Sequence, residues 1–192
     1  MTHGHGLQTW EYSPEYSIRS WLYVGLHAGL AKALGLFART KSAQFYMVRL
    51  ALGLFCTICE TRLFAAISRS LNPRIGLFFL VIVIFSPGMF HASTAVLPSS
   101  FSMYMSMLGL AAFLDWQGGL KTVQGVICFG IGAMVGWPFA GALAIPFLLE
   151  EIAVAWSLGD IAPAMKRILE GVVKCLLILV CLSVYKCSRS KY

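Results

Sequence analysis

A short aromatic and charged stretch near the start of the chain, QTWEYSPEYSIRSW, holds the residue types best suited to chemistry. Glu11 lies between Trp10 and Tyr12, where a carboxylate can accept hydrogen bonds from sugar hydroxyls while a ring covers the apolar sugar face. Glu15 and Arg19 are spaced i,i+4 and would pair on a helix. An ordinary capped helix at a membrane surface explains the same stretch equally well, so both interpretations stay open.

The composition of the chain is that of a protein embedded in lipid. Of its 192 residues, 58% are hydrophobic and 12% are charged, and the mean hydropathy is +0.77. Soluble domains have about 45–50% apolar and about 25% charged residues. The net charge of +7 comes mostly from basic residues in short gaps between apolar runs, where membrane topology signals lie. Nucleic acid is therefore not expected as a partner.

Helices are the expected secondary structure, since no segment shows the alternation of a membrane barrel. The sequence predicts an all-α, polytopic membrane protein with one membrane domain over 1–192 and about five spanning helices within 43–186. The first apolar segment, 21–37, is short and carries a lysine, so an interfacial amphipathic helix lying along the membrane is expected there. The five predicted spans are 45–67, 75–97, 101–116, 123–149 and 168–185.

Basic residues between the spans predict which ends face the cytosol. Arg69 and Arg74 follow the first span and Lys121 follows the third, so both gaps are expected on the cytosolic side. The aromatic stretch, the LPSSF turn and Glu151 at the end of the fourth span then fall on the opposite side. Arg39 argues against this arrangement, and the charge bias alone leaves the topology of the first segment open.

Two prolines interrupt predicted spans, Pro87 in the second and Pro138 in the fourth. A packing kink is the simpler interpretation of each, and a helix broken to line a polar cavity is the alternative. Within the first span, Arg49 and Glu60 share one helix face but lie too far apart to touch. Ionisable residues inside a membrane are candidates for function.

The LPSSF turn and the cysteines have simple structural explanations. Ser99 or Ser100 is expected to cap the helix that follows, and no histidine or carboxylate lies nearby in sequence to activate either hydroxyl. Cys56 and Cys59 form a C-x-x-C inside an apolar run, so two small buried residues are expected there. His3-x-His5 without a third ligand is weak support for a metal.

QTWEYSPEYSIRSW, then LPSSF, then GWPF resemble, in that order, the dolichyl-phosphate-mannose-dependent mannosyltransferases of glycosyltransferase family 22. The residues of these motifs most resemble those of the α-1,2-specific members that act in asparagine-linked glycosylation. The resemblance implies an endoplasmic reticulum membrane enzyme of the GT-C type. Such an enzyme moves mannose from dolichyl phosphate mannose to a lipid-linked oligosaccharide on the lumenal side, and neither a metal nor another cofactor is implied.

The resemblance also implies which residues contact substrate. Four in the aromatic stretch match the family motif and are expected at the sugar or phosphate, with Arg19 the better phosphate partner because a guanidinium binds bidentately. Three residues of the LPSSF and GWPF motifs are secondary candidates for contact with the substrate. The full set of expected substrate-binding residues is Trp10, Glu11, Tyr12, Arg19, Ser99, Ser100 and Trp137.

This chain departs from the family pattern at its ends. The acidic motif that carries catalysis in the family is expected upstream of QTWEYSP, so residues 1–20 are interpreted as the remainder of a lumenal loop and no catalytic base is assigned. The chain is therefore expected to be a piece of a longer enzyme and inactive by itself. A mannosyltransferase of glycolipid anchor synthesis, a noncatalytic membrane subunit and a transporter fragment are the alternatives.

Overall fold

The computed structural model describes residues 21–36, 40–115 and 120–189, and these residues are helical almost throughout. The prediction of an all-α fold is confirmed for this part of the chain. Its α-helices are α1 (Trp21–Gly35), α2 (Lys41–Ser70), α3 (Pro73–Ile84), α4 (Pro87–Ala92), α5 (Pro98–Leu114), α6 (Leu120–Ile131), α7 (Ile145–Ser157) and α8 (Ile161–Arg189).

Both prolines that interrupt predicted spans begin a new helix, so the preferred interpretation of a kink is wrong at each. Pro87 is the first residue of the short helix α4, after α3 has ended at Ile84. Pro138 begins a 3₁₀ helix that runs to Ala144, after a π-helical turn over Gly132–Gly136. Proline lacks the N–H that an uninterrupted helix needs, and its fixed φ suits the first turn of a new one.

Helices α2 and α5 run side by side in the same direction. At one end, the Ser70 hydroxyl donates to the Leu114 carbonyl, so the two C-termini meet. Nearer their starts, the ring of Tyr104 packs edge to face against Phe55 with centroids 5.6 Å apart. Helices α3 and α4 connect the end of α2 to the start of α5. The core forms where α2 and α5 meet, around the buried residues Leu52, Cys56, Cys59, Leu63, Tyr104 and Met107.

Helix α6 packs antiparallel to α5 along a seam of glycines. A Cβ at Gly109 would lie 2.6 Å from the ring of Phe129, and one at Gly125 would lie 2.8 Å from the ring of Phe113. One turn further along, a Cβ at Gly132 would lie 3.0 Å from a side-chain carbon of Met105. The absence of side chains at these glycines lets the two helices approach closely.

The segment 123–149 reverses direction, which corrects the prediction that it is one span ending at Glu151 on the far side. The ring of Phe147 stacks on Phe113, near the start of α6, with centroids 5.4 Å apart. A cavity of about 620 Å³ is lined by Lys121 at that start and also by Glu151. The chain therefore turns back after the π-helical turn, and α7 returns to the end at which α6 began.

Helix α8 then runs alongside α6 in the same direction. Gly159 has a φ of +75°, which glycine adopts without strain, and it closes the turn between α7 and α8. The Arg167 guanidinium binds Glu151 across these two helices at 3.0 Å. Glu170 and Lys174, spaced i,i+4 on α8, form an ion pair with Nζ and Oε1 2.6 Å apart.

Large apolar side chains cover much of the surface. On α3, Leu77, Phe78, Ile82 and Ile84 are 59–69% exposed, as expected for helices that face lipid. Two helical segments in the described part of the chain are long and apolar enough to cross a membrane: Lys41–Ser70 and Pro138–Ser157. Association with a membrane is supported by these segments, and the five-span arrangement stays a prediction.

Three charged residues join the ends of α2, α5 and α6. Asp115 accepts from Lys121 at 2.6 Å and from Arg69 at 3.3 Å through the same carboxylate oxygen. Arg69 and Lys121 thus lie at one end of the bundle, as the sidedness prediction requires of residues that share the cytosolic side. The π-helical turn that precedes Trp137 lies at the opposite end of the bundle.

Acid is expected to weaken this three-residue cluster. The hydrogen bond from Lys121, aided by the charge of Arg69, holds the pKa of Asp115 below its usual range. A carboxyl whose folded-state pKa is lowered contributes stability above its unfolded value, about pH 4, and loses it as the pH falls through the folded value. Asp115→Asn should lower the free energy of unfolding by less than about 1 kcal/mol at pH 7 because the ion pairs are partly exposed.

Thermal unfolding of the detergent-solubilised chain from pH 7 to pH 3 tests this prediction. The difference between wild type and Asp115→Asn should shrink toward zero below about pH 4. Asp160→Asn is the matched control, because Asp160 is exposed and has no ion-pair partner among the described residues. A difference that stays constant across this pH range would contradict the assignment.

Candidate functional site

The LPSSF turn forms the start of α5. Leu97 is extended and precedes the helix, and Pro98 is its first residue. Ser99 and Ser100 therefore lie within the first turn, and no side chain caps this helix, so the prediction that one of them is the cap is wrong. Ser99 is exposed, whereas Ser100 is buried with only 4% of its surface accessible.

A different serine, Ser102, joins the LPSSF turn to the GWPF motif. Its hydroxyl accepts a hydrogen bond from the Trp137 backbone N–H at 2.6 Å and donates one to the Gly132 carbonyl at 3.0 Å. The Trp137 N–H also donates to the Gly132 carbonyl at 3.0 Å, which closes the π-helical turn. Ser102 thus binds both the Gly132 carbonyl and the Trp137 amide, the two backbone groups at which the helix breaks.

The contact between the two motifs is too close for any residue except glycine at 136. A Cβ there would lie 2.8 Å from the Pro98 carbonyl oxygen and would also collide with the Ser102 hydroxyl. Glycine allows the two backbones to touch. Trp137 follows at once, and its side chain is 44% exposed at this end of the bundle.

Helix α1 packs against the same end. Tyr23 is buried, and its ring meets Phe101 edge to face with centroids 6.3 Å apart. The Gln44 side chain on α2 donates to the Ala31 carbonyl at 2.6 Å and fixes the other half of α1. Helix α1 begins two residues after Arg19, so the chain that follows the aromatic stretch is held beside LPSSF.

Four of the residues expected to bind substrate, Trp10, Glu11, Tyr12 and Arg19, lie outside the described residues. The other three lie at one end of the bundle. Trp137 contacts the first turns of α5 through Ser102, and Ser99 and Ser100 belong to those turns. The structure thus brings LPSSF and GWPF together, although 35 residues separate Ser102 from Trp137.

Two ionisable residues of α2 have separate partners. The Arg49 guanidinium donates to the Thr94 hydroxyl at 3.0 Å and lies over the ring of Phe45. Glu60 accepts a hydrogen bond from the Cys56 thiol at 3.4 Å. Cys56 and Cys59 are buried in the core, which confirms the interpretation of this pair as small buried residues.

Sequence reasoning missed Ser102 and Thr94. Ser102 is one of several serines and methionines in an apolar helix, and only its position one turn after Pro98 marks it out. Thr94 lies in a short gap between two helices. Neither residue has a neighbour in sequence that suggests a role, because each partner comes from a different helix.

No three His, Cys, Asp or Glu side chains lie close enough to hold a metal ion, within the residues that the structure describes. His27 lies at the LPSSF end, where its ring nitrogen meets the Tyr23 carbonyl at 3.0 Å. His3 and His5 are outside the described residues.

Comparison with known proteins identifies the group to which the chain is related. Residues 1–188 match the Alg9-like mannosyltransferase family. Alpha-1,2-mannosyltransferase alg9 of Schizosaccharomyces pombe is 46% identical over 155 residues, which cover 79% of this chain and 26% of that protein. Alpha-1,2-mannosyltransferase algn-9 of Caenorhabditis elegans is 43% identical over 78% of this chain and 24% of its own length.

The human protein, Alpha-1,2-mannosyltransferase ALG9, is 36% identical over 80% of this chain and 25% of its own length. The chain thus spans about a quarter of the length of these relatives. No solved structure matches it. With the family pattern present over residues 1–188, the chain belongs to the Alg9-like mannosyltransferase family.

Proposed function

We propose that this chain forms part of an α-1,2-mannosyltransferase. The enzyme transfers mannose from dolichyl phosphate mannose to a lipid-linked oligosaccharide in the endoplasmic reticulum membrane. The observation that carries the proposal is the meeting of LPSSF and GWPF, through Ser102 and Trp137, at one end of a helical bundle in a member of this family. The antiparallel packing of α5 and α6 brings the two motifs to the same end, where the exposed side chains of Ser99 and Trp137 are available to a substrate.

The Trp137 end of the bundle is proposed to face the lumen. Arg69 and Lys121 share the opposite end, which the positive-inside rule assigns to the cytosol. Helix α1 has 15 residues and would extend about 22 Å, less than the roughly 30 Å of a bilayer core, which supports an interfacial position. A multi-pass arrangement of the GT-C type is part of this proposal.

The proposed substrate contacts follow the geometry at this end. Trp137 is exposed and rigidly held at its backbone, so its ring can cover a sugar face. Ser99 is exposed and can hydrogen-bond a hydroxyl, whereas Ser100 is buried and is the weaker candidate. The aromatic stretch with Glu11 and Arg19 would complete the pocket, with its carboxylate at the acceptor and its guanidinium at the phosphate.

A chimeric enzyme tests the proposed function. Residues 1–188 of this chain would replace the matching part of the Schizosaccharomyces pombe relative in cells that lack it. Mass spectrometry of the lipid-linked oligosaccharides is expected to show that the mannose missing from those cells is restored. The same chimera with Trp137→Ala should transfer mannose roughly two- to tenfold more slowly, because an aromatic contact contributes about 0.5–1.5 kcal/mol.

The control is the chimera with Trp156→Ala, since Trp156 is exposed on α7 outside the motif contacts. It should transfer mannose at the rate of the unmodified chimera. A chimera that reaches the membrane in normal amount and binds the oligosaccharide lipid without extending it would contradict the enzyme and favour a noncatalytic subunit.

A further inference from the structure

Arg49 is a cation that has no acidic partner within the part of the chain that the structure describes. Its guanidinium donates one hydrogen bond, to the Thr94 hydroxyl, and lies 5.6 Å from the centre of the Phe45 ring. Neither neighbour is negatively charged, and no carboxylate lies within ion-pair distance of Arg49 among the described residues. A guanidinium carries five N–H donors in a planar fork, and one hydrogen bond is formed by that of Arg49 within the described residues.

The position of Arg49 makes this unusual. Arg62 and Arg74 also have no carboxylate partner among the described residues, but both are exposed. Arg49 is half-buried and lies eight residues into α2, about 12 Å along its axis from Lys41, in a helix apolar enough to span a membrane. A charge at such a depth is costly unless an anion or water neutralises it.

Apolar side chains are exposed on both sides of the contact. On α2, Phe45, Tyr46 and Leu50 are 52–69% exposed. On the facing segment, Val96 and Leu97 follow Thr94 closely and are also exposed. Gly53 lets this segment approach α2, because a Cβ there would already lie 3.3 Å from the Thr94 methyl group. An anion bound at Arg49 would therefore be flanked by surface suited to a hydrocarbon chain.

We infer that Arg49 binds the phosphate of a polyprenyl phosphate lipid, with its isoprenoid chain against the exposed apolar side chains of α2 and the 94–97 segment. The Thr94 hydroxyl orients the guanidinium and leaves its other N–H groups directed to phosphate oxygens, which they can bind bidentately. The inference rests on the proposed function, since it assigns to Arg49 the phosphate of the mannose donor. The proposed function also places Arg19 at the phosphate, so Arg49, on α2, is a second guanidinium for the same group.

Photolabelling of the 192-residue chain in yeast microsomes tests this inference without requiring mannose transfer. The probe is a short benzophenone-bearing polyprenyl phosphate, and the same polyprenol without phosphate is its control. The phosphate probe should label the wild-type chain. Dolichyl phosphate should compete, whereas inorganic phosphate and phosphatidic acid at equal concentration should not.

Arg49→Met should reduce labelling by about tenfold, the loss expected for one charge-assisted hydrogen bond or more. Arg49→Lys should keep part of it, because an ammonium binds phosphate as a point charge. Arg62→Met is the matched control on the exposed surface of the same helix and should leave labelling unchanged. Thermal unfolding of each variant shows whether the helix bundle is retained.

Three outcomes would overturn the inference: equal labelling of Arg49→Met and Arg62→Met, equal labelling by the polyprenol, or equal competition by phosphatidic acid. The last would indicate an ordinary lipid headgroup contact instead. Failure of the proposed function is separate, because a chimera that transfers no mannose while labelling still depends on Arg49 would leave the lipid site in place.

Discussion

Gly136→Ala is expected to lower the free energy of unfolding of this chain by roughly 3 kcal/mol, the upper part of the usual range for overpacking. The added Cβ would lie 2.8 Å from the Pro98 carbonyl oxygen and 3.2 Å from the Ser102 backbone nitrogen. These are backbone atoms of α5, which cannot move aside as a flexible side chain can. The start of α5 and the π-helical turn must separate to admit even one methyl group.

Thermal unfolding of the detergent-solubilised chain measures this effect, and Gly141→Ala is its matched control. Gly141 lies in the 3₁₀ helix just after Trp137, and a Cβ there meets only the Ala133 methyl at 3.4 Å, an ordinary contact. The control should change the free energy of unfolding by less than about 0.5 kcal/mol. In the Ser102→Ala background, Gly136→Ala should still lower the free energy of unfolding, because the Pro98 oxygen remains. A double variant as stable as Ser102→Ala alone would show that the hydroxyl alone sets the contact.

Ser102→Ala is expected to cost about 2 kcal/mol of stability and to slow mannose transfer in the chimera. The change removes two hydrogen bonds, one from the Trp137 N–H and one to the Gly132 carbonyl, each worth about 1 kcal/mol. The Trp137 N–H keeps its bond to Gly132, so the turn should form but hold the indole less firmly. The rate of mannose transfer should therefore fall by more than the loss of folded protein accounts for.

Ser106→Ala provides the comparison for this effect. Ser106 lies on the same helix, is also buried, is not one of the expected substrate-binding residues, and makes no side-chain hydrogen bond among the described residues. The substitution should leave stability within about 0.5 kcal/mol of wild type and mannose transfer unchanged. Equal effects of the two alanines on turnover would show that Ser102 does not position Trp137.

The sequence was sufficient to predict the helices that hydropathy alone defines. Lys41–Ser70 and Pro98–Leu114 lie close to predicted spans, and Arg69 and Lys121 meet at one end of the bundle as expected. The reversal within 123–149 was missed because its cause is not local. A proline in a glycine-rich apolar run permits a kink or a break equally, and the break here is fixed by Ser102, which lies 30 residues from Gly132.

The candidate site was predictable in its motifs but not in its contacts. GWPF and LPSSF stand out in the sequence, and Trp137 lies where the motifs meet. The prediction that Ser99 or Ser100 caps α5 was wrong because Pro98, rather than a serine, begins the helix, which moves both serines of the turn into it. Arg49 stands out in the sequence as a charge inside an apolar run. Its partner Thr94 was not predictable, because Thr94 lies 45 residues away in the segment between α4 and α5.

The glycine seam between α5 and α6 has a mechanical consequence. A slide of one helical turn would drive the rings of Phe129 and Phe113 into neighbouring side chains instead of glycines, so the seam fits in one register. The two helices should therefore behave as one stiff strut between the Asp115 end and the Trp137 end. Any widening at the Trp137 end should then come from movement of α1, α4 or the 3₁₀ helix over Pro138–Ala144, while α5 and α6 keep their alignment.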